Sequence, residues 1–528
     1  YHAYFTAKEV RKNIDIDVIV SQRVQPHLAL LHVPASSATE VHKHISENRY
    51  SEHGTRARRA ELIILWKCQE FDQVLKAIVP EKDGWKFAEG EEDSGPKNNR
   101  SQGSGQRFDS ERDSAIGQHV EPFGLSSVSR NLPAENFISW FALLKLMDDG
   151  DSSSQLSHDP LNFIRSSRLL DGLHIQQGDP VCLCTTPFGA TCPSVFLNSI
   201  SKGIVSNVAG SRHQLIMTDA RCIPGSEGGG MYVTRSGDNL RDSILAGIIV
   251  APLCWKNNEW IGLTLVCSIQ AVLESLRRIT DAPPRKITPG SALHGGSEYR
   301  AASPPSTVQQ CMREVVLIKA GSVWGSGVMV SADGGIILTC RHVVHKAKDR
   351  HVRVRIDCPY MHWEDAKVVY TTGQNSPFDL AVLKLEGGFG TVSAASGSAG
   401  NRTARSYTQG QPVIIVGHAL LAPELDLLPS VCMGVMSKVI TANGTPVMLQ
   451  STCAVHAGAS GGALFCRRTG QLLGIVTSNA RDVDSGASFP HVNFTVPWTF
   501  IAPILNAYLQ TDDVQKLERL DTDDDQLV

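Results

Sequence analysis

Apolar residues along this chain come in short runs bounded by Gly, Pro and Asn: Val181 to Cys184, Gly203 to Val208, Ala246 to Pro252, Gly335 to Cys340, Pro412 to His418 and Gly474 to Asn479. Runs of this kind predict β-strands, and the scarcity of a sustained helical period argues against a helical protein. One stretch, Phe500 to Leu509, predicts a terminal helix in spite of Pro503. Two stretches are too poor in apolar residues to pack. From about 88 to 130 Gly, Ser, Asn and charge predominate, which predicts a solvated insertion. From 281 to 306 clustered Pro, Gly and Ser predict a linker. The chain therefore divides into a first half over 1–280, a second over 307–510 and an acidic tail over 511–528. Both halves read as mainly β.

The halves also resemble each other. Gly178 to Val181 (GDPV) matches Gly410 to Val413 (GQPV), Gly203 to Ser206 matches Gly434 to Ser437, and Leu215 to Gly229 lies over Met448 to Gly462 without a gap. Further on, Gly247 aligns with Gly474 and Leu263 with Phe494; upstream, Phe141 to Leu146 (FALLKL) aligns with Leu380 to Leu385 (LAVLKL). Single segments of β-rich sequence resemble one another by chance, but this many in one order point to an internal duplication.

Composition narrows the class. At 528 residues, 42% hydrophobic and 20% charged, the chain exceeds one core and is neither wholly disordered nor fibrous. A net charge of −3 gives no global attraction to nucleic acid or an anionic membrane, so neither is expected as a partner. No apolar run is long enough to span a bilayer, and the opening residues lack the apolar core of a signal peptide. Tyr1 in place of Met leaves the native start undetermined. The 13 Cys, odd in number and dispersed, predict reduced thiols inside a cell.

Gly458-Ala-Ser460-Gly-Gly462 follows one apolar strand pattern and precedes another. A serine hydroxyl becomes a nucleophile beside a general base, with backbone N–H groups aimed at the developing oxyanion; small flanking residues allow that tight path. His342 follows the run Ile336 to Cys340, and Asp379 opens the run Leu380 to Leu385. The order His, Asp, Ser is that of the chymotrypsin-type double barrel, whose triad bridges two β-barrels. The expected roles are Ser460 as nucleophile, His342 as base and Asp379 as its orienting acid. The N–H groups of Gly458 and Ser460 would form the oxyanion hole. His345 is the nearby rival for the base. The GxSxG pattern also suits an α/β-hydrolase, but that fold places a helix directly after the serine and its acid and His later in the chain. A strand–turn–strand pattern follows here instead.

The segments GSVWGSGVMV, LTCRHVV, FDLAVLKL, NGTPVMLQSTCAVHAGASGGALF, LLGIVTSNARD and VNFTVP resemble the peroxisomal leader-peptide-processing proteases, the trypsin-like family called glyoxysomal processing protease in plants. CIPGSEGGGMY and APLCWKNNEWIGLTL carry the likeness into the first half, so that it covers most of 130–505. The resemblance implies an all-β fold of tandem trypsin-like double barrels. It also implies an endopeptidase of the peroxisomal matrix that removes targeting leaders from imported enzymes, cuts after Cys and processes itself. Its partners would be protein substrates, with a homo-oligomer left open. The ending Gln526-Leu527-Val528 departs from the import tripeptide of the Ser-Lys-Leu type.

In this fold the residue six before the nucleophile, here Ala454, lies at the base of the pocket preceding the scissile bond. A cleaver after Arg or Lys needs an acid there to pair the buried cation. Thr477, Ser478 and Asn479 should supply the far wall, giving a small uncharged site that suits Cys. Cys182, Cys184 and Cys192 cluster with His174, but tetrahedral zinc sites usually use CxxC-type pairs, and the Cys-x-Cys spacing here disfavours zinc. No metal or cofactor is expected. The duplication sets Glu227 over Ser460 and Trp140 over Asp379, so the first half should be a degenerate copy without chemistry. Two other readings stay open: a catalytically inactive binding scaffold, and a quality-control protease of the HtrA type. The latter ends like Phe494 to Pro497 but normally carries a PDZ domain, for which the roughly thirty residues after Pro497 leave no room.

Overall fold

The structure, a computed structural model, describes residues 15–21, 28–32, 55–80, 85–87, 138–146, 174–187, 193–223, 225–234, 243–256, 259–280, 306–358, 360–387, 406–421, 423–481 and 488–521. The expected insertion at 88–130 and the linker up to 305 lie outside them, as does Cys192.

Among the described residues the fold is all-β, with three closed six-stranded barrels and a four-stranded sheet. The sheet holds β1 (Asp15–Ser21), β2 (Leu28–His32), β3 (Thr55–Lys67) and β5 (Trp140–Leu146) in the order β1-β3-β5-β2, with helix α1 (Gln69–Ile78) after β3. A barrel follows from β6 (Pro180–Thr185), β7 (Ser199–Ala209), β8 (Leu215–Thr218), β9 (Gly230–Val233), β10 (Ile244–Lys256) and β11 (Glu259–Ser268). It runs β8-β7-β6-β9-β10-β11, with β4 (Trp85–Phe87) on the edge of β10 and helix α2 (Ile269–Ile279) after β11.

The second half opens with β12 (Val315–Ala320), β13 (Val323–Ser331), β14 (Ile336–Thr339), helix α3 (Arg341–Val344), β15 (His351–Ile356), β16 (His362–Thr371) and β17 (Ala381–Leu385), closed as β12-β13-β14-β17-β16-β15. Its other barrel comprises β18 (Pro412–Gly417), β19 (Ser430–Ala442), β20 (Thr445–Ser451), β21 (Ala463–Cys466), β22 (Leu472–Arg481) and β23 (Ser488–Pro497), followed by helix α4 (Trp498–Thr511). Its order, β20-β19-β18-β21-β22-β23, repeats that of the first-half barrel strand for strand. The register repeats as well. Val181 faces Gly203 as Val413 faces Gly434. Both glycines are needed for the same reason: a Cβ on Gly203 would lie 2.4 Å from the Ala220 nitrogen, and one on Gly434 2.5 Å from the Cys453 nitrogen.

Strands between two barrels are covered on both faces, which explains runs that are apolar throughout rather than alternating. Ile336 and Leu338 of β14 join Ile414 and Val416 of β18 in the core between the second-half barrels. Ile337 faces the interior of its own barrel, and Val413 and Ile415 face the interior of theirs.

Helix α4 extends beyond the expected Phe500 to Leu509 and runs through Pro503, ending where Asp512 takes a left-handed conformation at φ 52°. The chain then turns back as a 3-10 segment, Val514–Leu520, whose Leu517 and Leu520 are buried in the second-half core. The acidic tail expected from 511 is corrected here: residues to 520 are part of the packed unit, because apolar Leu517 and Leu520 recur among the charges at a spacing that places both inward. Among the described residues no helix is long and apolar enough to cross a membrane.

The halves share a contact along β7 and β19. The Asp219 carboxylate accepts from Ile204 N–H of its own half and from Met433 N–H of the other, each at 2.7 Å. Asn207 Nδ2 donates to Leu428 O at 3.0 Å.

Candidate active site

β14 ends at the buried Cys340, and the short helix α3 turns His342 outward from this strand end. Asp379 is held by the strand that pairs with β14: Phe378 before it and Leu380 after it are buried anchors. Thr372 closes the approach, its Oγ1 accepting from Leu380 N–H at 3.0 Å. Both carboxylate oxygens of Asp379 then serve His342. Oδ1 accepts from the His342 backbone N–H at 3.1 Å, and Oδ2 meets ring Nδ1. With Nδ1 donating, Nε2 is left as the acceptor that a general base needs. Burial opposes the Asp379 charge, but the hydrogen bonds from His342 and the nearby Arg341 outweigh it and hold the carboxyl below its ordinary range.

Ser460 lies on a tight turn between two glycines of positive φ, Gly458 at 91° and Gly461 at 83°. The turn is fixed by Ala459 N–H to His456 O, Gly462 N–H to Ala459 O, Gly461 N–H to Val476 O and Val476 N–H to Gly462 O, at 2.8–2.9 Å. No side chain fits at Gly461, where a Cβ would lie 2.1 Å from Ser326 O. The Cys340 thiol donates to Val476 O at 3.3 Å, so the residue two before His342 and the residue after Ser460 share one acceptor. Ser326 stitches the two barrels further. Its N–H donates to Ser460 O at 2.9 Å and its hydroxyl to Gly458 O at 2.7 Å.

Ligand atoms of Cys340, His342 and Asp379 lie within 4.8 Å of one another. A metal would need the thiolate. Burial, with the neighbouring Asp379 charge, pushes the Cys340 thiol well above its ordinary value. The donor set fits a His–Asp pair better than a metal site. In the first half, Cys182 is buried on β6, and burial raises both its thiol and that of Cys184. His174 is exposed.

Of the residues expected to form the pocket, Ala454 is buried, Thr477 is buried and donates to Phe494 O at 3.2 Å, and Ser478 is exposed. Asn479 Nδ2 donates to Val455 O at 2.6 Å, while its Oδ1 is buried without a hydrogen bond. Sequence reasoning missed His456, buried two residues after Ala454, and His491, whose Nδ1 donates to Thr452 O at 3.0 Å. Burial, with the charges of Arg221 and His456, lowers the His491 pKa against the pull of the Thr452 carbonyl. Arg221 comes from the first half. The flanking motifs Val455-His456 and Pro490-His491 were the available signal.

The first-half turn over 225–229 reproduces the Ser460 turn. Gly225 and Gly228 have φ of 88° and 82°, and Ser226 N–H to Ile223 O, Gly229 N–H to Ser226 O, Gly228 N–H to Ile249 O and Ile249 N–H to Gly229 O repeat the same four bonds. Glu227 occupies the position of Ser460. Trp140 begins β5. The strand–Cys–helix order of β14, Cys340 and α3 recurs as β3, Cys68 and α1.

Residues 325–475 match the family described as trypsin-like peptidase domain, so fold and sequence family define the class: the second half is a trypsin-like serine peptidase domain. Over some two thirds of its length or more, the chain is similar to proteins named peroxisomal leader peptide-processing protease. It is 40% identical over 354 residues to the protein of that name from Homo sapiens, covering 66% of this chain and 58% of the human one. It is 36% identical over 405 residues to the one from Mus musculus, covering 73% of this chain and 64% of the mouse one. The chain thus spans about three fifths of these relatives' length. A serine protease Do-like HtrA from Lactobacillus helveticus is 30% identical over 189 residues, 34% of this chain and 42% of that one.

Proposed function

We propose that this chain is a serine endopeptidase whose chemistry resides in the second half. Ser460 attacks the scissile carbonyl while His342 Nε2 takes its proton. His342 then gives that proton to the leaving amine, and Asp379 holds the ring and stabilises the imidazolium. The N–H groups of Gly458 and Ser460 receive the oxyanion, and water attacks the acyl-enzyme by the same route in reverse. Trp140 and Glu227 can supply neither the orienting acceptor nor the nucleophile, so the first half is assigned no chemistry. The observation that carries this reading is the His342–Asp379 pair, tied through Cys340 to the carbonyl that also fixes the Ser460 turn.

The substrates assigned are proteins bearing leader peptides, cut after a small neutral residue such as Cys at a pocket based on Ala454 and walled by Thr477, Ser478 and Asn479. The names of the human and mouse relatives support leader processing and a peroxisomal location, the matrix being the compartment where imported enzymes meet such a protease. The family resemblance adds self-processing.

The test is labelling of the purified chain with a fluorophosphonate, followed by mapping of the modified residue. Modification of Ser460 is expected. No labelling, as an inactive scaffold requires, or labelling confined to another residue would overturn the assignment.

A further inference from the structure

The loop after β18 reaches into the core of the other half while staying tied to its own. Leu420 is buried in the core of the first half together with Trp66, Phe71 and Leu276, and Ala419, Leu421, Leu425 and Leu427 pack against the same core. The backbone at Leu420 is costly. Its φ is 68°, and Leu421 N–H donates to Ala419 O at 2.8 Å, forming a γ-turn of positive φ that L side chains avoid. Such a conformation persists where its surroundings over-determine it. From the second half, the fully buried Arg355 donates to Pro423 O at 3.3 Å and to Leu427 O, and Lys319 pairs with Glu424 at 2.7 Å.

The strained residue also makes a contact that matters for chemistry. Leu420 N–H donates to Ala457 O at 2.8 Å. That carbonyl belongs to the same planar peptide as the Gly458 N–H, and in a trans peptide the two point in opposite directions. Fixing the carbonyl therefore fixes where the Gly458 N–H aims. The turn cannot settle this direction by bulk, since Gly458 has no side chain and tolerates none: a Cβ there would lie 2.1 Å from Trp324 and 2.4 Å from His418 O.

We propose that Leu420 is a positioning residue through which the first half, by burying its side chain, holds the Ala457–Gly458 peptide of the second half in the orientation that stabilises the oxyanion. The degenerate half thereby acts as a built-in activator of the other. This rests on the assignment of Ser460 and Gly458 above, and the experiment separates the two failures.

Fluorophosphonate labelling of the full chain is followed as both rate constant and final extent, because misfolded protein lowers the extent without changing the rate of the folded fraction. Leu420→Gly accepts the positive φ but deletes the anchor. It should lower the labelling rate constant and kcat by about tenfold or more, with KM little changed, since one oxyanion donor is worth more than that. Leu420→Met, which refills the core, should restore both to near the wild-type value. Leu427→Ala removes apolar contact from the same loop and core without touching Ala457, and should leave the rate constant unchanged. A wild-type rate constant in Leu420→Gly, or an equal fall in Leu427→Ala, would overturn the proposal. Continued labelling of Ser460→Ala would instead overturn the site assignment on which it rests.

Discussion

The Gly225 N–H donates to the Glu227 carboxylate of its own turn at 2.7 Å. Gly225 stands where Gly458 stands in the other copy, and Glu227 where Ser460 stands. Burial raises the Glu227 pKa, and the bonds from the backbone N–H groups of Glu227 and Gly225 oppose that rise. The N–H that corresponds to Gly458, the proposed oxyanion donor, is thus engaged by a side chain of its own half. The Glu227 side chain satisfies a backbone donor that would otherwise be orphaned.

Glu227→Ala should therefore leave peptide hydrolysis by the second half within about twofold of wild type, because one-sided loss of a remote carboxylate removes nothing from the transition state. A steady-state assay checks this. A loss as complete as that from Ser460→Ala would place the chemistry in the wrong half.

Ser460→Ala should lower kcat by on the order of 10⁴-fold, since triad members act as a unit. His345→Ala should retain most activity. The His345 ring is engaged with the His342 carbonyl, one helical turn back, and not with the carboxylate that orients a base. Assays of both variants on one peptide distinguish the two histidines. A deeper loss from His345→Ala than from His342→Ala would reverse their roles.

Specificity should follow Ala454. The residue is buried, with no acid beside it in sequence, so a cationic side chain entering the proposed pocket there would lose its hydration without a partner. A peptide library should show small neutral residues before the cut, and Ala454→Asp should shift the profile toward Arg and Lys. A wild-type profile dominated by basic residues would rule this pocket out.

Much of this was legible in the sequence because the information is local. Gly203 and Gly434 mark the same close approach in both copies, and the runs around them fall in the same register, so duplication could be read residue by residue. His342, Asp379 and Ser460 each sit at the mouth of a strand with an unmistakable apolar run. What was not legible depends on contacts remote in the chain. Leu420 enters a core built from residues more than a hundred positions away, and its run, broken by Pro423, Glu424 and Asp426, reads as an ordinary surface loop. Leu517 and Leu520 were hidden among charges for the same reason.

Asp219 should make the contact between the halves sensitive to mild acid. Its carboxylate takes one N–H from each half, from Ile204 and from Met433, and in the other copy the neutral Thr452 hydroxyl bonds Val435 N–H at the equivalent place. Burial pushes the Asp219 pKa up to about 6; the two N–H groups and the nearby Arg467 charge oppose the rise without cancelling it. The buried thiols of Cys432 and Cys453 face the same carboxylate, and burial raises both. A group whose pKa is higher folded than unfolded contributes stability that is fully present below the unfolded value, near 3.8, and is lost as pH rises through the folded value, near 6. Asp219→Asn abolishes this titration and, having one oxygen for two N–H donors, adds a penalty that does not vary with pH. Urea midpoints of wild type and Asp219→Asn, compared at intervals from pH 4 to pH 7, should therefore show the wild-type advantage growing as pH falls through about 6. A difference that stays flat across this range, or that grows with rising pH, would mean that Asp219 is ionised in the fold as readily as in the unfolded chain.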